Sequence, residues 1–345
     1  MSTLSDLNSV VSDLQGDRTR MMLLVLDNLI WPILLIAFVL FSLLLPQIFT
    51  QYQNVEFLLY TSAGLGAIAL AEGICLISGN FDLSVGSVAG FSSMFAALFL
   101  TEWFPGTPGI VGVLVLLAVG GGIGFLNGFF IAEFDVNPFL QTLSTFIIFE
   151  GGILVLSSRS VYGLPESYLW LGGGDVSIGG LLPQSVPVAV FFMLGLFVAV
   201  WFMLTKTRFG RSVYAVGGDE ESAAEAGIDT SRVVIVVFVL SGMLSATGGL
   251  LLTGFNNGAT PTLGTSQLFP AFTAAVIGGI SLFGGRGNVL NALGGVLLLS
   301  TIAAGLVMLN IDPQIVQAIN GIVLFSAILM YTSVQRVRER LLADL

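Results

Sequence analysis

Ten predominantly apolar stretches, each close to the ~20 helical residues that a bilayer core takes, divide this 345-residue chain. They run over Leu29–Leu45, Phe57–Leu76, Leu83–Leu100, Ile110–Ala132, Pro138–Leu156, Val186–Leu204, Val233–Phe255, Leu268–Phe283, Val289–Leu309 and Ile315–Tyr331. The third starts directly after a Gly-Asn-Phe-Asp interruption, and the eighth is short. Charged residues make up 9% of the chain and hydrophobic ones 55%. A water-soluble domain has about a quarter of its residues charged, so a soluble globular fold is excluded. The expected fold class is all-α: a polytopic transmembrane helical bundle of about ten spans. It forms a single domain over 1–345, with an N-terminal segment 1–28, a loop 205–232 and a tail 332–345 on the cytoplasmic side.

Orientation follows from the cations, which are retained in short cytoplasmic loops. With the N-terminus inside and ten crossings, Arg18, Arg20, Lys206, Arg208, Arg211, Arg232, Arg286, Arg336, Arg338 and Arg340 all fall inside, and Arg159 falls outside. A single misplaced span would scatter them. Both termini are therefore expected in the cytoplasm. Residues 1–20 lack the apolar stretch of a signal peptide and read as a short amphipathic cytoplasmic segment.

The chain holds 21 acidic residues against 11 basic ones, with no histidine and one cysteine. Without histidine there is no Ser-His triad, no His metal site and no His proton relay. Cys75 cannot form an internal disulfide and reads as a packing residue. Excess carboxylates keep exposed surfaces hydrated in a salt-rich cytoplasm, where repulsion is screened. The balance points to a multi-pass protein of a prokaryotic plasma membrane, in a halophilic archaeon.

Several polar groups interrupt the apolar spans. Residues 78–87 read Ser-Gly-Asn-Phe-Asp-Leu-Ser-Val-Gly-Ser. An acid at membrane depth must face protein or water. The segment suits a broken helix in which Asp82 and Ser84 cap freed backbone N–H groups. It is either a structural cap and turn or, with Asn80, a lining of a substrate path. Glu72 and Glu150 lie inside spans without a basic partner nearby. Each is either an interhelical hydrogen-bonding group or a path lining. Asn127, Asn137, Gln141, Asn256, Asn257 and Asn291 form a further set of buried or near-buried amides, and all but Asn291 are candidates for lining the substrate path. Most of the 43 glycines, among them Gly64, Gly66, Gly120, Gly121, Gly122, Gly124, Gly248 and Gly249, read as points of close helix approach. No internal repeat stands out, and the outer loop 157–185 is expected to cover part of the outer face.

The cytoplasmic loop 205–232 contains a short helix signal. Asp219 is placed as an N-cap, Glu220 and Glu221 complement the positive helix end, and Gly227 can close the helix in the left-handed conformation. About two turns long, such a helix needs a partner surface to persist in water. Ala223, Ala224 and Gly227 offer a smooth face for a groove on another protein, with Ser222 and Glu225 beside them. The alternative is a plain surface helix. The glycine-rich stretch 278–287 reads as a tight inner turn; it lacks the Gly-Lys-Ser/Thr ending of a phosphate-binding loop.

Four segments carry a resemblance: GNFDLSVGSVAG at 79–90, VNPFLQTLSTFIIFEGG at 136–152, TRFGRSVYAVGGDEESAAEAGI at 207–228 and GGISLFGGRGNVLNALGG at 278–295. Together the chain, from about Val55 to Tyr331, resembles the permease subunits of ribose-, xylose- and galactose-type ABC importers, which share features with branched-chain amino-acid permeases. Many of these have Gly-Ile-Asp-Leu-Ser where Asn80-Phe81-Asp82-Leu83-Ser84 stands, and Gly-Asn-Glu-Glu at Gly218-Asp219-Glu220-Glu221.

The resemblance implies a permease for a pentose or hexose with no ATPase site or cofactor of its own. It implies a cytoplasmic ABC ATPase, an extracytoplasmic sugar-binding protein and a second permease copy or paralogue as partners. Residues 219–227 would then be the helix that couples to the ATPase. Lipid surrounds the assembly, and nucleic acid is not expected among its partners. The alternative reading is a proton-coupled secondary transporter using Glu72 and Glu150, against which stands the lack of histidine and of any embedded lysine or arginine.

Overall fold

A computed structural model describes residues 28–177 and 185–343 together with Met22 and Leu26; the expected amphipathic segment 1–20 lies outside the described residues. The helices in chain order are α1 (Ile30–Leu44), α2 (Tyr52–Ile77), α3 (Val85–Leu98, extended by a π turn, Phe99–Trp103), α4 (Gly109–Phe134), α5 (Pro138–Leu156), α6 (Glu166–Gly173), α7 (Val188–Lys206), α8 (Arg208–Gly218), α9 (Glu220–Glu225), α10 (Thr230–Phe255), α11 (Leu268–Ile277), α12 (Val289–Met308) and α13 (Pro313–Ala343). A two-residue antiparallel pair, β1 (Asp175–Val176) with β2 (Val186–Pro187), closes the loop before α7.

Eight of these helices are long and apolar enough to cross a membrane. They occupy the places of eight of the ten expected spans. The first and eighth differ. α1 has 15 residues and α11 has ten, so at 1.5 Å per residue α11 is about 15 Å long and reaches through half a bilayer core. The reason is Gly278-Gly279. The N–H of Gly279 bonds the Val276 carbonyl at 2.9 Å and that of Ile280 bonds the Ala275 carbonyl at 3.1 Å, with Gly279 at φ +86. The apolar residues that follow are turn, not helix. α2 ends in the same way, with Gly79 at φ +82 and the Asn80 N–H on the Cys75 carbonyl at 2.9 Å. Two helix ends therefore stop on the same left-handed glycine turn.

Helix α10 is the centre of the bundle, packed against α2, α3, α4 and α6. Its closest approach is to α4. A Cβ on Gly120 would strike the Gly242 carbonyl, one on Gly124 the Phe238 carbonyl, and one on Gly128 the Ile235 backbone. The spacing Gly120–Gly124–Gly128 puts all three on one face, where small residues replace the hydrophobic force that is absent between helices in lipid. Gly248 meets α2 at Gly64, and Gly249 meets α3 at Ala89; Gly122 faces open space. At the C-terminal end of α10, α6 lies on it because Gly172 and Gly173 abut Leu251 and Gly254. The loop 157–185 thus packs on the bundle through its own glycines. Helices α2, α3, α10 and α12 are mostly buried, while α5 and α13 have few buried residues.

Candidate functional site

The chain leaves α2 at Ile77 and re-enters helix at Val85. Asp82, buried between them, is the hub of a polar network. Its Oδ1 accepts from the Ser84 N–H at 3.0 Å and the Ser84 hydroxyl at 2.5 Å. Its Oδ2 accepts from the Ser241 hydroxyl of α10 at 2.6 Å. Asn127 of α4 donates to Ser84 Oγ at 3.0 Å, and Thr145 of α5 donates to Asn127 Oδ1 at 2.6 Å. Gln141 donates to the same oxygen at 3.3 Å. A further freed backbone donor, Leu83 N–H, bonds Thr142 Oγ1 at 3.1 Å. The broken segment is thus tied to α4, α5 and α10 by side chains.

Asp82 caps the freed backbone as expected. Ser84 does not; its hydroxyl serves Asp82 instead. Asn80 folds back on Ser78, donating to its carbonyl at 3.1 Å and its hydroxyl at 3.0 Å. Glu72 lies fully buried on α2, and neither carboxylate oxygen has a hydrogen-bond partner among the described residues. The other candidates lie elsewhere. Glu150 is on the exposed face of α5, so it does not join Glu72 in the interior. Asn137 is exposed and caps α5, accepting from the Phe139 and Leu140 N–H groups. Asn256 and Asn257 are exposed in the turn that ends α10, with Asn257 at φ +53; these two are turn-formers and not buried amides. Asn291 is buried and accepts from the Trp31 indole at 3.2 Å. Sequence reasoning passed over Ser241, Thr142 and Thr145. For Thr142 and Thr145, the signal was their shared face with Gln141, one turn of α5.

The loop 205–232 holds two helices where one was expected. α8 is amphipathic: Gly210, Val213, Val216 and Gly217 face inward and Arg208 and Arg211 face outward. α9 is capped by Asp219, whose Oδ1 accepts from the Ser222 N–H at 2.7 Å; that bond holds the Asp219 carboxyl below its ordinary value. Gly227 is left-handed at φ +83, as expected. One correction concerns the face. Ala223 is buried in the apolar core, while Glu220, Glu221, Ser222, Ala224, Glu225 and Gly227 are exposed. With six residues, α9 cannot offer both alanines to a partner while it packs by one of them.

The two helix ends and this loop meet in one glycine junction. The Gly285 N–H bonds the Ile77 carbonyl at 2.9 Å. A Cβ on Gly217 would fall on that carbonyl, and one on Gly284 would strike Gly217 and Gly79. Tyr214 of α8 adds a bond to the Gly287 carbonyl at 2.8 Å. Backbone therefore touches backbone where α2, α8 and the turn after α11 converge. From this junction the chain runs five residues to Asp82.

A bundle with half-length and broken helices, a tied polar interior and small helices appended at one end defines a multi-pass membrane transport protein. The chain belongs to the family described as branched-chain amino acid transport system / permease component, whose model matches residues 54–328. It is 34% identical over 298 residues to the ribose import permease protein RbsC of Bacillus subtilis (strain 168), covering 86% of this chain and 90% of that one. It is 31% identical to the fructose import permease protein FrcC of Rhizobium meliloti, over 86% of this chain and 82% of the relative. Similarity to the D-allose transport system permease protein AlsC of Escherichia coli (strain K12) is 32%, over 86% and 88%. No solved structure matches the chain at a significant level.

Proposed function

We propose that this protein is the membrane-spanning permease of an ATP-driven importer for a pentose or hexose, working with a cytoplasmic ABC ATPase and an extracytoplasmic sugar-binding protein. The observation that carries the reading is similarity along most of the chain to permeases named for ribose, fructose and D-allose. A second permease, a copy or a paralogue, completes the translocation unit; the resemblance of the four sequence segments supports it.

The inside orientation has structural support. The junction, α8, α9 and the Tyr331 hydroxyl bonded to Ser281 gather at one end of the bundle with Lys206, Arg208, Arg211, Arg232, Arg286, Arg336 and Arg338. Arg159 sits at the other end, beside the Val161–Ala259 bridge. That asymmetry is what cytoplasmic retention of cations produces. The exposed acids Glu220, Glu221 and Glu225 fit the salt-rich cytoplasm of a halophilic archaeon.

Residues 219–227 dock into the ATPase, and their displacement reaches the interior through the glycine junction. Asp82, Ser84, Asn127 and Gln141 form the lock on the broken helix beside the sugar path, and Asn80 and Glu72 supply further polar groups there. The test is reconstitution in vesicles with ATPase and binding protein. Ala224→Arg should leave the fold intact and abolish sugar-stimulated ATP hydrolysis. Ala223→Arg should instead unfold the loop. Uptake that runs on a proton gradient without ATP would overturn the reading.

A further inference from the structure

A cavity of about 500 Å³ opens between the turn after α11 and α13, lined among others by Ser281, Phe283, Arg286, Tyr331, Gln335 and Arg336. Its wall is rigidly held. The Ser281 N–H bonds the Arg286 carbonyl at 3.0 Å, and the Tyr331 hydroxyl donates to Ser281 Oγ at 2.9 Å. Gly284, Gly285 and Gly287 all have positive φ, and within this turn Leu282 packs against the core while Phe283 does not. Phe283 is 84% exposed, and Arg286 in the same turn is exposed as well. Arg336 faces it from α13, also exposed.

The position of the cavity along α13 decides what it suits. Ile322, Phe325 and Leu329 are exposed apolar residues on this helix. Tyr331 and Thr332 follow, then Arg336. From Leu329 to Arg336 the rise is about 10 Å, so the apolar band gives way to cations over a distance comparable with a headgroup layer of roughly 5–7 Å. The ligand must therefore be anionic at one end and apolar at the other. It must also find local cations on a chain whose net charge is −10, which repels anions elsewhere.

We infer that this cavity is a binding site for an anionic phospholipid, with its phosphodiester between Arg286 and Arg336 and its hydrocarbon chains along Phe283 and Leu329. Basic pockets between membrane helices at this level are suited to lipid headgroups. A soluble acidic segment would leave Phe283 bare, and free phosphate would use the arginines alone. The inference is independent of which solute is transported.

The test uses the full chain in neutral detergent, with binding of phosphatidylglycerol read by native mass spectrometry. Phosphatidylglycerol should bind in preference to phosphatidylcholine. The double variant Arg286→Gln/Arg336→Gln should bind it about thirty-fold more weakly, the factor expected for two interfacial cations. Arg286→Lys/Arg336→Lys should keep most of the affinity, and Arg208→Gln/Arg211→Gln, on the exposed face of α8, should keep all of it. Equal affinity in the Gln double variant would overturn the site. Complete displacement of the lipid by inorganic phosphate would show a free-anion site, and equal binding of phosphatidylcholine would show a merely apolar groove; either result also overturns it.

Discussion

Replacing Asp82 separates the cap from the charge. In Asp82→Ala three donors lose their acceptor: the Ser84 N–H, the Ser84 hydroxyl and the Ser241 hydroxyl. The hydroxyls can turn toward other oxygens. The backbone N–H cannot, and a buried unsatisfied donor costs about 1–3 kcal/mol. Adding the lost contacts of the two hydroxyls, each worth about 1 kcal/mol, the variant should be destabilised by roughly 3–5 kcal/mol. Asp82→Asn keeps an oxygen for the Ser84 N–H, and its amide nitrogen can donate to Ser241 Oγ once that hydroxyl rotates. Its cost should stay below about 1 kcal/mol, in line with a neutral cap. Unfolding of the purified protein in mixed micelles measures both, and uptake by reconstituted vesicles shows whether the lock matters to transport. If Asp82→Asn is destabilised as much as Asp82→Ala, the carboxylate charge and not the cap holds the break, and the hydrogen-bond reasoning is refuted.

Gly217→Ala should cost about 3 kcal/mol, the upper range for overpacking, because its Cβ would meet the Ile77 carbonyl; Gly218→Ala, with nothing within 4 Å, should be neutral in the same unfolding assay. Cysteine placed at Ser222 or Ser333 in a Cys75→Ala background should resist a membrane-impermeant thiol reagent in intact cells, and strong labelling from outside would reverse the orientation. Because the Asp219 carboxyl is held below its ordinary value of 3.8 by the Ser222 N–H, its contribution to the α9 cap is fully present above that value. It fades as the pH falls through the lower folded value. Amide exchange at Ser222 should accelerate, relative to Asp219→Asn, over that acidic window, and an identical pH dependence in the Asn variant would show the cap is not carried by the charge.

The spans were legible because a bilayer demands long apolar runs, and those runs survive any rearrangement of packing. The Asp219 cap and the Gly227 stop were legible because both act within one helical turn. The end of α11 was not: Ile280, Leu282 and Phe283 carry the apolar pattern past Gly279, and hydropathy cannot see that the backbone has already turned. α8 hid because its apolar face is short and set in a polar loop. The inward turn of Ala223 depends on how α9 seats on its neighbours, which its own sequence does not encode. Ser241 looked like any lone hydroxyl in an apolar helix; its partner lies 159 positions away. The asparagines at 256 and 257 were misplaced because a polar pair just after a span reads the same whether it lines an interior or closes a helix.

At the glycine junction backbone meets backbone, with the Tyr214 hydroxyl bonding beside it. A joint made of interlocked side chains can absorb a small displacement by rotamer change; one made of carbonyls and Cα atoms cannot. A shift of α8 therefore bears directly on the backbone at Ile77 and Gly284, with no side chain between them. A permease built this way trades mutational tolerance at Gly79, Gly217, Gly284 and Gly285 for fidelity in transmitting small strokes.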